Sequence, residues 1–131
     1  PGLLKSAIEE MLRCESPLQF GNRRSTSATE IAGQRLPAGT FLHVAIAAAN
    51  RDPRQFPDPD RFDIGRDPNR HLAFGHGIHF CAGNAVARME ATLAFGRLLA
   101  RFPDFRRAGP TVRAPRTRFR VIDELRIDLR A

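Results

Sequence analysis

A cysteine at the mouth of a glycine-rich loop has the surroundings that most favour chemistry in this sequence. Residues 74–83 read Phe-Gly-His-Gly-Ile-His-Phe-Cys-Ala-Gly, and Cys81 lies just before a long segment with helical apolar periodicity. Glycines adopt backbone angles closed to other residues and let a flat ligand approach the main chain. Free N–H groups and the positive end of a helix dipole favour a thiolate over a thiol. A thiolate held in this way is a metal ligand or a nucleophile.

Of these two roles, a metal ligand is the better interpretation of Cys81. No second cysteine or acidic cluster stands at zinc spacing, and no Asp or Asn completes an obvious Cys-His catalytic set. A haem iron needs only one such protein ligand. The alternatives are an unreactive structural cysteine in a glycine-rich turn, or iron ligation by the loop histidines instead.

The loop resembles the haem-binding signature of the cytochrome P-450 superfamily. The matching pattern is Phe74-x-x-Gly77-x-x-x-Cys81-x-Gly83, in its bacterial-type form with His79 two residues before the cysteine. The resemblance implies that Cys81 is the axial ligand of haem b and that Phe74 packs beside the thiolate, keeping water away and tuning the iron's potential. It also implies that His79 donates to a haem propionate. The expected cofactor-binding residues are Arg23, Phe74, Gly75, His79, Cys81 and Gly83.

Arg23 is placed in that set by its position ten residues before Gly33, where bacterial members carry an arginine that binds a propionate. A guanidinium suits a carboxylate in geometry and charge. Arg24 is the nearest competitor, and an exposed strand arginine is the alternative for either. Residues that match the family's substrate-facing stretch are Leu18, Gln19 and Phe20, and Val121 and Ile122 are further candidates to border the substrate pocket.

Glu10 and Arg13 stand three apart in sequence and therefore share one side of a predicted helix. Alone, such a pair is most simply a solvated surface ion pair. Glu10-Met11-Leu12-Arg13 also resembles the family's Glu-x-x-Arg element. The family adds an arginine from a later Pro-x-Arg-Phe segment, matched here by Arg61. The resemblance thus implies a buried structural network of Glu10, Arg13 and Arg61 that holds the cysteine region in register.

The pattern of the chain predicts an α+β fold, and the resemblance implies that it is the C-terminal part of the mainly helical cytochrome P-450 architecture. Apolar periodicity predicts two long helices, over residues 3–15 and 82–101. Extended segments at 18–24 and 40–44 together predict a small sheet, and alternation predicts a half-buried strand at 125–129. The Pro/Asp-rich stretch 50–63 has linker composition. In the family it is an ordered meander, which would be pinned by the buried rings of Phe56 and Phe62.

Length and composition set limits on the protein's class. The 131 residues, 1–131, are a single domain by length, and no run of about 18 apolar residues predicts a membrane span. Two cysteines are too few for a disulfide framework, which favours the cytoplasm. The net charge of +7 comes from scattered residues, all but one of the basic ones arginine, and Tyr and Trp are absent. That pattern disfavours nucleic-acid binding.

By resemblance, the complete parent chain is a haem-thiolate monooxygenase that hydroxylates or epoxidises a small apolar molecule with O2 and electrons from a ferredoxin/reductase. A peroxygenase or a haem-dependent dehydratase or isomerase shares the same signature. The match covers only the family's C-terminal third, and its long distal helix, with an acid and an alcohol for proton delivery, has no counterpart. We therefore expect a fragment that is inactive alone, and a non-catalytic truncated polypeptide is a further alternative. An electron-donor surface around Arg88 is also possible.

Overall fold

The computed structural model describes residues 2–130. Its helices are α1 (Leu4–Cys14), α2 (Ile46–Ala49) and α3 (Asn84–Arg101), with a 3-10 turn at Gly77–His79. Its strands are β1 (Gly21–Arg24), β2 (Thr29–Ile31), β3 (Gln34–Leu36), β4 (Phe41–Val44), β5 (Asp104–Arg107), β6 (Val112–Arg113), β7 (Ile122–Glu124) and β8 (Ile127–Arg130). These elements confirm the α+β prediction with two long helices and small sheets.

Helix α1 forms where its periodicity predicts and ends before Ser16-Pro17, because the residue before a proline is driven away from helical angles. Its inner face buries Ala7 and Ile8 together with charged residues. Helix α1 also packs against α3. Gly96 of α3 allows close approach, since a Cβ there would lie 3.6 Å from a methyl carbon of Leu4.

The strands form four two-stranded antiparallel sheets, pairing β1 with β4, β2 with β3, β5 with β8 and β6 with β7. The first sheet confirms the predicted pairing of the two early strands. A bridge between Leu18 and Phe119 brings the C-terminal region beside the segment that follows α1. The alternation in 125–129 predicts a half-buried strand. Strand β8 overlaps this segment, but all four of its residues are exposed, so the predicted burial is wrong. Within residues 2–130 no layer covers that sheet.

The buried core lies where α1, α2 and the segment after α2 meet. Its apolar members are Ala7, Ile8, Cys14, Ile46 and Phe56, and its polar members are Glu10, Arg13, Ser16 and Asn50. Helix α3 has no buried residue, and the apolar stripe that predicted it leaves Val86, Met89 and Leu93 exposed. No helix in the described part of the chain is long and apolar enough to cross a membrane.

The Pro/Asp-rich stretch 50–63 is an ordered meander of turns. Its backbone closes on itself through bonds such as Phe56 N–H to the carbonyl of Asp52 (2.9 Å) and Arg61 N–H to that of Asp58 (3.0 Å). Phe56 is 1% exposed, whereas Phe62 is 52% exposed, so the predicted burial of Phe62 is wrong. The Arg13 guanidinium lies over the Phe56 ring, with its central carbon 5.2 Å from the ring centroid. One phenylalanine therefore pins the meander, and the linker interpretation does not hold.

Replacing Phe56 should cost far more stability than replacing Phe62. We expect Phe56→Ala to lower the free energy of unfolding by about 3–5 kcal/mol, since it empties a buried ring site. Phe62→Ala should change it by less than about 1 kcal/mol, since that ring is largely in solvent. Urea unfolding measures the difference, and limited proteolysis should cut the meander faster only in Phe56→Ala. Equal losses in the two variants would contradict the assignment of Phe56 as the pin.

Candidate cofactor-binding site

A cavity of about 480 Å³ opens between the cysteine loop, β1 and the segment after α1. Its apolar walls come from different elements, including Leu12 of α1 and Ile46 of α2. The residues lining it are Leu12, Pro17, Leu18, Gly21, Asn22, Arg23, Ile46, Ala73, Phe74, Gly75, His79, Cys81 and Arg118. Five residues predicted from the signature and its arginine therefore meet at one cavity: Arg23, Phe74, Gly75, His79 and Cys81.

The cysteine loop is closed by main-chain hydrogen bonds. The N–H of Cys81 donates to the carbonyl of Phe74 (2.8 Å), and the N–H of Phe80 donates to that of Gly77 (3.0 Å). Gly75 has φ +75°, and a Cβ there would lie 3.2 Å from the carbonyl oxygen of His79, so a larger residue is strained on both counts. This closure leaves Cys81 as a free, exposed thiol at the cavity.

The donor set around Cys81 fits a metal that carries its own equatorial ligands. Within residues 2–130, no three His, Cys, Asp or Glu side chains come together to hold a bare metal ion. One thiol, apolar walls and a glycine-rich approach suit a flat macrocycle with iron at its centre. Arg23 and Arg118 line the same cavity, and in the described part of the chain the guanidinium of Arg23 donates to the carbonyl of Asn22 rather than to a carboxylate. These cations and His79 suit propionate groups.

Several predicted residues lie elsewhere. Gln19 and Phe20 are outside the cavity lining: the amide of Gln19 donates to the carbonyl of Ser16, and the Phe20 ring stands edge-on to His43 at 5.2 Å. Of the predicted substrate-facing stretch, only Leu18 lines the cavity. Val121 and Ile122 are not in the lining, and neither is Arg24, the alternative to Arg23.

Gly83 is next to the cysteine without lining the cavity. A Cβ at Gly83 would be 3.9 Å from the sulfur of Cys81, which is an ordinary contact distance. Arg118 was not anticipated from the sequence, because it lies in an arginine-rich stretch without periodicity. Only the long-range bridge from Leu18 to Phe119 places it at the cavity.

A buried pair, Glu10 and Arg13, lies on α1, the helix whose Leu12 lines the cavity. Arg13 Nε donates to Glu10 Oε2 and Arg13 Nη2 to Oε1, both at 2.8 Å, which makes the pair bidentate. The Arg13 guanidinium also donates to the meander carbonyls of Asn50 and Pro59 (both 2.8 Å) and of Arg61 (3.1 Å). The meander therefore surrounds the positive charge of Arg13, and its carbonyl oxygens partly neutralise that charge.

The third residue of this network is Arg66, so the prediction of Arg61 is wrong. The side chain of Arg61 is 69% exposed, and only its backbone carbonyl takes part. Arg66 is 9% exposed, and its Nε donates to Glu10 Oε1 at 3.2 Å. Arg66 also donates to the carbonyls of Pro57 (2.8 Å) and Asp58 (3.2 Å).

The carboxylate of Glu10 accepts hydrogen bonds from several groups of this network. Burial alone would raise its pKa, but hydrogen bonds from Arg13, the backbone N–H of Asp63 and Arg66 outweigh it and lower the pKa from 4.5 to about 2. Asn69 adds a hydrogen bond of 3.0 Å to Oε2. The carboxylate is therefore charged over the ordinary pH range, as its arginine partners require.

Asn50 connects this network to the cysteine loop. Its side chain is fully buried, donates to Ser16 Oγ (2.8 Å) and accepts from the N–H of Leu72 (2.7 Å). The carbonyl of Leu72 in turn accepts from the N–H of Gly75 (2.8 Å). The sequence does not single out Asn50, because an asparagine before an Arg-Asp-Pro stretch is an ordinary turn residue.

The sequence of this chain is similar to those of known proteins. The Cytochrome P450 family model matches residues 2–105. Cytochrome P450 107B1 of Saccharopolyspora erythraea is 56% identical over 109 residues, which are 82% of this chain and 27% of that protein. Cytochrome P450 monooxygenase PikC of Streptomyces venezuelae is 50% identical over 103 residues, 78% of this chain and 25% of that protein.

Solved structures show the same likeness in three dimensions. The crystal structure of P450BioI in complex with hexadec-9Z-enoic acid ligated acyl carrier protein superposes with a TM-score of 0.95 at 42% identity, over 99% of this chain and 34% of that chain. The fold is therefore that of part of a cytochrome P450 structure. The chain belongs to the cytochrome P450 family. It spans about a quarter to a third of the length of these relatives.

Removing the Arg66 side chain should destabilise the protein, and removing that of Arg61 should not. Arg66→Ala breaks charge-assisted hydrogen bonds to a buried carboxylate, so we expect a loss of roughly 2–3 kcal/mol in the free energy of unfolding. Arg61→Ala keeps the backbone carbonyl that Arg13 uses, and the loss should stay below about 1 kcal/mol. Chemical denaturation of the two variants decides the matter, and a larger loss in Arg61→Ala would restore Arg61 as the third residue of the network.

Proposed function

We propose that this chain supplies the thiolate face of a haem monooxygenase, with Cys81 as the axial ligand of haem b. The observation that carries the proposal is the exposed Cys81 thiol at an apolar cavity that Arg23 and His79 also line. Haem is the cofactor of the family to which the chain belongs. When bound, it supplies an iron centre that uses O2 to insert one oxygen atom into an organic molecule.

Each residue of the cavity then has a defined task. Cys81 binds the metal as a thiolate, and Phe74, which lines the same cavity, excludes water from the ligand and so strengthens its electrostatic effect. Arg23 and His79 bind the propionates, and Arg118 is a further cation at the same cavity. Leu18 provides apolar surface facing a substrate. Glu10, Arg13 and Arg66 take no part in the chemistry and hold the meander and loop in place.

The finer assignments follow the family by likeness. We propose a small apolar organic substrate, O2 and electrons from a ferredoxin/reductase, with hydroxylation or epoxidation as the reaction. The free state of both cysteines, with Cys14 buried, supports a reducing cytoplasm. A peroxygenase or a haem-dependent dehydratase or isomerase would use the same thiolate face, since the proton-delivering residues that separate these reactions have no counterpart in the 131 residues.

A second candidate, a chain without catalytic activity by itself, is favoured by the exposed apolar surface. Ile78 in the cysteine loop is 97% exposed, and the apolar stripe of α3 is open to solvent. Exposed apolar side chains of this number are typical of a surface that further polypeptide covers. We therefore propose that turnover requires the remaining part of a cytochrome P450 domain, and that residues 1–131 are its C-terminal haem-binding portion.

The absorption spectrum of the reduced, CO-exposed protein after haem reconstitution tests Cys81 as the ligand. We expect the strongly red-shifted Soret band of a thiolate-ligated haem in the wild type and in Cys14→Ala, which removes the other, buried cysteine. Cys81→Ala should lose the band, because no other thiol lies at the cavity. Retention of the band in Cys81→Ala would disprove the assignment. If the 131 residues alone take up no haem, the same spectra are measured on a fusion of this chain to the N-terminal portion of a full-length relative.

A further inference from the structure

Helices α1 and α3 are joined by a bidentate ion pair outside the buried network. Arg88 Nε donates to Glu9 Oε1 at 2.6 Å, and Arg88 Nη2 donates to Glu9 Oε2 at 2.8 Å. Both side chains are partly buried, and the hydrogen bond from Arg88 lowers the pKa of Glu9. A pair with this geometry differs from a mobile surface ion pair, because two parallel bonds fix the plane of the guanidinium.

The orientation of that plane matters because Arg88 also reaches both ends of the cysteine loop. Its guanidinium carbon lies 4.5 Å from the centroid of the Phe74 ring, within the range of a cation–π contact. Its Nη1 donates to Asn84 Oδ1 at 2.9 Å, and Asn84 Nδ2 donates to the carbonyl of Cys81 at 2.7 Å. Phe74 and Cys81 are themselves joined by the main-chain bond that closes the loop.

Glu9 is oriented in turn by the residue that leads into the loop. His71 is almost fully buried, and its Nδ1 accepts from the N–H of Ala73 at 3.2 Å. The ring proton therefore resides on Nε2, which donates to Glu9 Oε2 at 2.9 Å. Burial lowers the pKa of His71, in keeping with this neutral form. Glu9 thus has one partner before the loop and one after it.

We propose that Arg88, anchored on α1 by Glu9, is a positioning residue for the cysteine loop: it fixes the ring of Phe74 directly and the carbonyl of Cys81 through Asn84. The guanidinium is directed into the protein, toward the loop that presents the thiol. The consequence for a metal ligand at Cys81 rests on the proposed haem site, but the clamp itself does not. It can be tested in the chain without haem.

Amide hydrogen exchange at Cys81 measures the clamp directly. The Cys81 N–H is the donor that closes the loop, so its exchange should accelerate when the loop loosens. In Arg88→Met, which keeps the apolar stem, we expect exchange at Cys81 to be about tenfold faster. The amide of Asn50, which bonds to the carbonyl of Ile46 in the core, reports opening of the core and should keep its protection. An unchanged Cys81 rate in Arg88→Met would overturn the proposal.

The same helix offers a matched control. Arg101 lies over the ring of Phe102 at 5.3 Å, at the opposite end of α3 from the cysteine loop. Arg101→Met removes the same kind of contact and should leave the Cys81 amide unaffected. Acceleration of equal size in Arg101→Met would show that the effect is general weakening of α3, and the proposal would be wrong.

Two further variants separate geometry from charge and guard against a misfolded Arg88→Met. Arg88→Lys keeps the positive charge but cannot make the bidentate pair and reach Asn84 together, so it should also accelerate exchange at Cys81. Full rescue by lysine would contradict positioning by the planar group. Glu9→Gln leaves Arg88 in place without its charged anchor and should accelerate the same amide to a smaller extent, whereas no change would contradict the role of Glu9. Failure of the wild type to bind haem would count against the proposed function and leave these exchange results intact.

Discussion

The fold of this chain depends on the buried ion pair of Glu10 and Arg13, whose charges need further hydrogen-bonding partners. Removing an ion pair from water is costly, and a buried guanidinium and carboxylate persist only where further hydrogen bonds satisfy them. Arg13 and Glu10 meet that demand by collecting meander carbonyls, a backbone N–H and the Arg66 side chain. The path of a Pro/Asp-rich stretch without regular secondary structure is thereby fixed. Such a pair contributes more to a single geometry than to net stability, because the cost of desolvation offsets much of the attraction.

Two adjacent glutamates divide the work of holding the cysteine loop. Successive residues of an α-helix point about 100° apart, so Glu9 and Glu10 face different neighbours. Glu10 binds the meander network, whose influence reaches the loop through Asn50 and the N–H of Leu72. Glu9 binds Arg88 of α3 and His71 at the start of the loop. Two separate chains of contacts therefore connect the cysteine loop to one helix, α1.

The sequence predicts those features whose causes are local. The helical periodicity of α1 and α3, the proline that ends α1 and the glycine-rich closure around Cys81 each depend on a few neighbouring residues. The Glu10–Arg13 spacing also predicts its own contact. Features that depend on distant packing were missed or wrong. Arg66 and not Arg61 contacts Glu10, at a separation of 56 positions that no local spacing predicts. Phe62 is 52% exposed, because no residue in 2–130 covers it. The apolar stripe of α3 predicts a helix correctly, but its burial needs a partner layer that a periodic pattern does not specify.

The ionisation of Glu10 tests the buried network most directly. Its pKa in the folded chain is lowered from 4.5 to about 2, so its contribution to stability is fully present above pH 4.5 and is lost as pH falls toward about 2. A ¹³C NMR titration of the Glu10 side-chain carboxyl, followed in the folded protein, reads this value without reference to haem or activity. We predict that Glu10 remains a carboxylate through most of the interval between those two limits. Titration of Glu10 at the ordinary value of 4.5 would contradict a carboxylate held by Arg13 and Arg66, and with it the basis for the ordered meander.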